Sequence, residues 1–291
     1  MATQVTTPYI PPLPELRIIA LDALVEHEHN DAQRTAPLAK RLEAEGLLKN
    51  PPIVSPLDDD TAAGERYVVL DGANRTTALQ LLGYLHVLTQ VVPYEPPQVT
   101  LTTWHHVIAG IPLDEFTQAL TSIEGLEFRA LDLLHARAGL ARRDLLSYTI
   151  RADGVVFAAR TAIPRHDVHE QNRLLNAMVD TYKERGQLFR AAADHLEEAQ
   201  SLYPGLTGLV IFPNYDAAEV LALARDGELL PTGLTRHLIQ GRALRTNYPL
   251  SELKSNDSLD AKNARLREWL KSKSASKEMR LYGEATYLFD E

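Results

Sequence analysis

The stretch that most constrains this chain runs from Arg66 to Gly83, Arg-Tyr-Val-Val-Leu-Asp-Gly-Ala-Asn-Arg-Thr-Thr-Ala-Leu-Gln-Leu-Leu-Gly. Tyr67 to Leu70 are β-favouring and continuously apolar, as a buried strand requires. Asp71-Gly72 breaks the strand. Ala78, Leu79, Leu81 and Leu82 then fall at helical spacing, and Gly83 marks the stop. The pattern therefore predicts a strand, a tight turn and a helix. Gly72 lets backbone approach a ligand closely, and the N–H groups near Asn74 to Thr77 open a helix without partners inside it. Such an end attracts anions, phosphate above all. Arg75 in that first turn adds a possible bidentate grip on phosphate oxygens. An ordinary strand–helix connection with a surface arginine fits the same letters.

Composition narrows the classes. The chain has 291 residues, 45% of them apolar, which is enough for two domains with real cores. Its formal net charge is −9 and it holds no long basic block, which disfavours a protein bound mainly through duplex phosphates. Cysteine is absent, so there is no disulfide framework, no thiol nucleophile and no thiolate-ligated metal. No apolar run reaches membrane-spanning length, and the start has no basic region followed by an apolar core. These features predict a soluble, cytoplasmic protein.

In order, residues 1–14 form a proline-dotted arm expected to be extended. Leu16 to Leu24 suit a strand. Val25 to Arg34 form a dense polar cluster before a helix whose apolar side is Leu38, Leu42 and Leu47. Asp58 to Gly64 is an acidic turn, Leu85 to Tyr94 a β-rich run, and Val99 to Ile108 a further single strand. A domain boundary is placed near Ala109 to Pro112. Beyond it, helix is expected over Ile111–Thr121, Arg129–Ala138, Val168–Ala199 (with a break near Gly186), Ala217–Arg225 and Leu259–Leu270. Strands are expected over Ser147–Ala158 (broken at Asp153-Gly154), Gly208–Phe212 and Leu238–Leu244, then a linker over Lys271–Lys277 and a terminal strand over Met279–Phe289. The domains read as 1–14, 15–110 and 111–291, an α+β unit followed by a second mixed α/β domain.

Three clusters are candidates for chemistry. Glu26, His27, Glu28, His29 and Asp31 crowd one segment. His27 and His29 would point to opposite faces of an extended chain, which argues against shared metal ligation. A solvated turn and a general base at Glu28, opposite the phosphate turn, both remain open. Trp104-His105-His106 sits in a β-rich run, where a Trp is as readily core as ligand wall. Thr235-Arg236-His237 follows a Pro-x-Gly turn and suits either anion binding or an exposed loop. No P-loop, dinucleotide fingerprint, Gly-x-Ser-x-Gly elbow or His-Glu-x-x-His occurs.

The turn itself resembles the ParB/sulfiredoxin superfamily, marked by a strand, then Asp-Gly-x-His-Arg or a variant, then a helix. Here it stands as Asp71-Gly72-Ala73-Asn74-Arg75, with Asn74 in place of the usual His, and Pro51-Pro52-Ile53-Val54 upstream also fits. The chain is most similar to the free L-serine kinases through His27-Glu28, Thr103-Trp104-His105-His106, Leu230 to His237, Gly241-Arg242-Ala243-Leu244 and Asn247-x-Pro249-Leu250. Sulfiredoxin itself is excluded, because its Cys would sit at Ala73. A partition protein is disfavoured by the charge and by the lack of a helix-turn-helix pattern downstream. The resemblance implies a ParB/sulfiredoxin-like nucleotide-binding domain and a kinase that phosphorylates free L-serine with ADP or ATP and Mg²⁺. It implies phosphate binding by Gly72, Ala73, Asn74, Arg75 and Thr76, with Arg75 as clamp. Glu28 would take the serine hydroxyl proton, and Asp71 would hold or position Mg²⁺. Arg236 would pair with the serine carboxylate, Thr235 and His237 would add hydrogen bonds, and Trp104 would form a wall. The alternatives are a non-catalytic nucleotide-binding regulator reaching nucleic acid through its second half, and a kinase of another small hydroxyl compound.

Overall fold

The computed structural model describes residues 13–30, 32–57, 64–161 and 167–282. The proline-dotted arm up to residue 12, Asp31 of the polar cluster, the acidic turn over 58–63 and the expected terminal strand from residue 283 lie outside the described residues.

The chain forms two compact units. The first comprises residues 1–25, 32–100 and 239–291, the second 26–31 and 101–238. The first is thus built from both ends of the sequence, and the short segment around Glu28 belongs to the second. The expected division at 110/111 follows sequence continuity, whereas the compact units are discontinuous.

In chain order the first unit supplies β1 (Glu15–Ala20), a 3-10 turn (Leu21–Ala23), β2 (Leu24–Val25), α1 (Ala32–Glu45), β3 (Leu47–Leu48), β4 (Ile53–Pro56), β5 (Tyr67–Asp71), α2 (Ala73–Leu81) and β6 (His86–Val91). The chain passes to the second unit along β7 (Val99–Thr103) and continues through β8 (His105–Ala109), α3 (Leu113–Thr121), β9 (Leu126–Leu131), α4 (Leu133–Ala141), β10 (Ser147–Arg151) and β11 (Val156–Thr161). Then follow α5 (Val168–Asp180), β12 (Gln187–Ala191), α6 (Leu196–Leu202), β13 (Leu206–Ile211), α7 (Ala217–Arg225) and β14 (Thr235–Ile239). It returns to the first unit as β15 (Tyr248–Pro249), α8 (Leu250–Lys254) and α9 (Leu259–Ala275).

The first unit's five-stranded sheet has the order β1-β6-β4-β5-β2. β4 lies antiparallel to β5 and parallel to β6, and β2 lies parallel to β5. Tyr67, Val68, Val69 and Leu70 are all buried, which accounts for the unbroken apolar run. One core joins Ile18, Leu42, Leu79 and Leu88 to Tyr248, Leu250, Leu253 and Leu266 from the returning segment. α9 is fastened to edge strand β1 by Asn263, whose Oδ1 accepts from Ile18 N (2.9 Å) and whose Nδ2 donates to Ile18 O (2.9 Å). The amide stands in for a neighbouring strand and covers that part of the edge. Lys262, 1% exposed, donates to Leu253 O (2.6 Å) and to His86 Nδ1 (2.9 Å).

The second unit is built on a six-stranded sheet, β12-β8-β13-β10-β11-β9, antiparallel at every pairing. Val107, Tyr148, Ile150, Ala158, Leu209 and Ile211 fill its core. Among the described residues no helix is long and apolar enough to cross a membrane.

Several expected elements differ. Val99–Ile108 is not one strand: Trp104 N donates to Leu234 O (2.8 Å), and the chain breaks there, β7 pairing with β14 and β8 joining the large sheet. Leu47 starts β3, where Leu48 pairs with Tyr248, instead of extending the helical side of Leu38 and Leu42. Arg129–Leu131 is strand, not helix, since Arg129 and Ala130 pair with β11. The expected helix over Val168–Ala199 ends at Asp180. Its middle becomes β12, whose Leu188 and Phe189 pair with Ile108 and Val107. β14 begins at Thr235 and ends at Ile239, so Thr235-Arg236-His237 lies on a strand, while 242–247 has no regular structure. α9 runs through Ala275 and absorbs most of the expected linker.

Candidate functional site

The first unit carries the strand–turn–helix. Gly72 sits at φ +101° and ψ 21°, a backbone region that favours glycine. A Cβ there would lie 3.0 Å from Pro52 Cα and 3.2 Å from Arg75 Cζ. Turn and residue type are therefore matched, and the helix opens with no side-chain cap. Arg75 N and Thr76 N both donate to Gly72 O (2.8 and 3.0 Å). Among the described residues no hydrogen bond takes up the Ala73 or Asn74 N–H. Those two N–H groups, at the positive end of the helix dipole, are what the turn can offer an anion.

The side chains divide in an order the letters do not reveal. Thr76 is buried and its hydroxyl donates to Ala73 O (2.8 Å), so it faces inward. Arg75 is also drawn inward: Nη1 donates to Asn50 O (2.6 Å) and Nη2 to Asp71 Oδ2 (2.9 Å). Asn74 Oδ1 lies 3.5 Å from Thr35 Oγ1. The residue that sequence reasoning missed is Arg242, whose Nη2 also donates to Asp71 Oδ2. Its loop is held by buried Gln90, which donates to Gly241 O (3.0 Å) and accepts from Ala243 N (2.8 Å). Gly241-Arg242-Ala243-Leu244 was visible as a stretch of likeness, but nothing in it names Asp71 as partner. Both guanidinium groups use Oδ2, so Oδ1 of Asp71 has no partner among the described residues.

The second unit carries the other group. The segment from His27 to His29 is zipped to the 230 loop: Leu230 N donates to His27 O (2.8 Å) and His29 N to Leu230 O (3.0 Å). This places the Glu28 carboxylate in a ring of donors. Gly233 N donates to Oε1, and Thr235 donates to Oε2 from both its N (2.9 Å) and its Oγ1 (2.6 Å). With its one proton given to Glu28, Thr235 Oγ1 can only accept at its other contact. The 2.8 Å contact to His27 Nε2 therefore runs from ring N–H to hydroxyl oxygen. His237 meets His27 edge-on, with centroids 5.3 Å apart. A carboxylate has about four lone-pair sites. Three are taken, leaving one on Oε1.

Strand alternation splits the expected trio. Thr235 and His237 share the face toward His27 and Glu28. Arg236 points the other way and lies over Trp104, its Cζ 4.3 Å from the ring centroid. This cation–π pair makes Trp104 a half-buried platform and not core. The neighbouring histidines are uncharged: burial pushes His105 down to about 4 and His106 to about 3. No group of three or more His, Cys, Asp or Glu side chains that could cage a metal exists among the described residues.

Fold and side chains thus define an α+β protein with an uncapped helix start on one unit and a donor-ringed carboxylate on the other. No protein-family profile matches the chain. The ATP-dependent L-serine kinase SbnI of Staphylococcus aureus is 25% identical over 283 residues, 95% of this chain and 97% of that protein. A structure of SbnI with a C-terminal truncation matches with TM-score 0.67 at 22% identity, covering 90% of this chain and 97% of that one. A free serine kinase in complex with AMP matches with TM-score 0.65 at 18% identity, covering 86% and 97%. The two structures show a shared fold. In sequence along nearly its whole length, and in architecture, the chain is like the free L-serine kinases.

Proposed function

We propose that this protein phosphorylates the hydroxyl of free L-serine to O-phospho-L-serine, with ADP or ATP as donor. The observation that carries this reading is the likeness, over 95% of the chain, to a protein named as an ATP-dependent L-serine kinase. Each unit by itself supports the reading with one part such a reaction uses: the first with donors for phosphate charge, the second with a carboxylate able to accept the hydroxyl proton. The nucleotide phosphates would lie at the Gly72–Arg75 turn, on the Ala73 and Asn74 N–H groups, with Arg242 added to the expected Arg75. Glu28 would take the serine proton on the free lone pair of Oε1. Arg236, held over Trp104, would pair with the serine carboxylate, while Thr235 and His237, on the opposite face of β14, would steady Glu28 and His27.

Mg²⁺ fits this donor set. The ion is typically held by one or two carboxylates together with substrate phosphates, not by an all-protein cage. Among the described residues Asp71 Oδ1 has no partner. Asp71 would hold the ion, whose contribution is to offset phosphate charge. A reaction that needs cellular nucleotide and a free amino acid suits the cytoplasm.

The test is an assay with serine, Mg²⁺ and ADP or ATP, read for O-phosphoserine. Glu28→Gln should lower kcat by about 10²–10⁴-fold, the usual worth of a general base, with nucleotide affinity retained. Nucleotide binding without product from serine would overturn the assignment, and a panel of small hydroxyl compounds would then separate another acceptor from a non-catalytic regulator.

A further inference from the structure

We infer that His106, backed by Tyr182, is a positioning residue that aims the Gly233 N–H at Glu28. This rests on the reading of Glu28 as acceptor of the serine proton. His106 lies on β8, inside the second unit, with no exposed surface. Its Nε2 is 3.0 Å from Thr232 O and its Nδ1 is 2.8 Å from Tyr182 Oη. A carbonyl oxygen only accepts, so Nε2 carries the proton. The ring is neutral, so Nδ1 is bare and takes the Tyr182 proton. The tautomer is fixed from both sides.

The partner of Nε2 gives this histidine its consequence. Thr232 C=O and Gly233 N–H are the two ends of one planar peptide. The imidazole binds the oxygen end, and the opposite end donates to Glu28 Oε1. Gly233 is at φ +71°, and a Cβ there would lie 2.5 Å from Arg190 Nε. A glycine peptide in a turn is the kind most free to rotate. Rotated over, it would turn a carbonyl oxygen toward the Glu28 carboxylate in place of a donor. The His106 N–H holds the carbonyl on the far side and polarises the amide, strengthening the bond at its other end. The surroundings argue against mere filling of space. Val107 and Ile108 beside it are apolar and fully buried, and Phe212 packs edge-on at 4.8 Å. An aliphatic side chain would pack there without burying two polar groups. The chain Tyr182–His106–peptide 232/233–Glu28 lies wholly within the second unit.

The experiment compares Tyr182→Phe, His106→Leu and His106→Gln with the parent protein. Gln keeps an N–H donor near the place of Nε2. Two readouts are taken: kcat and KM for O-phosphoserine formation, and the amide proton resonance of Gly233 in glycine-labelled ¹⁵N protein. Tyr182→Phe and His106→Leu should lower kcat by about 10- to 100-fold, the scale of a small misplacement at a reacting centre, with KM for nucleotide unchanged. Both should move the Gly233 resonance upfield, whereas His106→Gln restores most of kcat and the resonance. Parental kcat in the Phe and Leu variants, a Gln variant as damaged as the Leu variant, or an unmoved Gly233 resonance in the first two would each overturn the inference. If the parent protein makes no O-phosphoserine, the kinase reading fails by itself, and the Gly233 resonance still decides whether His106 sets that peptide. Tyr182→Phe removes a single oxygen and keeps the ring, so the test survives a Leu variant that does not fold.

Discussion

One oxygen of Asp71 receives two guanidinium groups, and the two arginines should answer differently to removal. Arg75 also ties the Asn50 carbonyl to the turn, with its side chain only 21% exposed. Arg242 is 38% exposed and has Asp71 as its ion-pair partner. Arg242→Ala should therefore weaken nucleotide binding by about 10- to 100-fold, the equivalent of one charge-assisted hydrogen bond of ~1.5–3 kcal/mol, and leave the melting temperature nearly unchanged. Arg75→Ala should lower both. Calorimetric titration beside a thermal melt separates them, and unchanged nucleotide affinity in Arg242→Ala would remove Arg242 from the site. Acid stability is also set by single residues. His105 and His106 have folded-state values of about 4 and about 3, below their ordinary 6.5. Between those limits the unfolded chain binds more protons, so unfolding free energy should fall as pH drops from about 6.5 toward 4. The slope is at most ~1.4 kcal/mol per pH unit for each group. Urea unfolding across that range should show the decline, and His106→Gln should reduce it.

At the scale of elements, the junction of β5 with α2 depends on one backbone conformation. Gly72→Ala would force a side chain into a glycine-favouring turn and against Pro52 Cα at 3.0 Å. A loss of about 1–3 kcal/mol in stability is expected, together with loss of nucleotide binding, because the Ala73 and Asn74 N–H groups shift with the turn. Retention of both in urea unfolding and nucleotide titration would show that the turn tolerates a Cβ. This junction was legible in the sequence because it is local: apolar run, breaker and helical period follow one another. The neighbouring strands were not. β12 reads as part of a helix because its apolar residues continue the pattern of α5, and only pairing with Val107 and Ile108 makes it a strand. Trp104 divides β7 from β8 through a hydrogen bond to Leu234, distant in sequence.

For the whole molecule, the returning segment matters as much as the motif. Tyr248, Leu250, Leu253 and Leu266 are each at most 2% exposed in the first unit's core. Burial of each such side chain contributes ~1.5–3 kcal/mol, and together they rival the ~5–15 kcal/mol stability of an ordinary domain. A chain ending at Arg245 keeps Asp71, Gly72, Arg75 and Arg242 yet should lose nucleotide binding and the cooperative melt of the first unit. A truncated protein that still binds nucleotide with parental affinity would contradict this account.

The sequence by itself determined the strand–turn–helix, the absence of thiol chemistry and the segments that hold Glu28, Trp104 and Thr235 to His237. All are written in local spacing or residue type, which need no knowledge of the rest of the chain. Only the tertiary structure decided that Arg242 meets Asp71, that Arg75 and Thr76 turn inward, that Arg236 leaves Thr235 and His237 for Trp104, and that His106 stands behind Glu28. Those pairings join residues up to 171 positions apart. They depend on how strands, helix and loop are brought together and which face each side chain takes, and for Arg236 a shift of one residue along its strand would reverse that face.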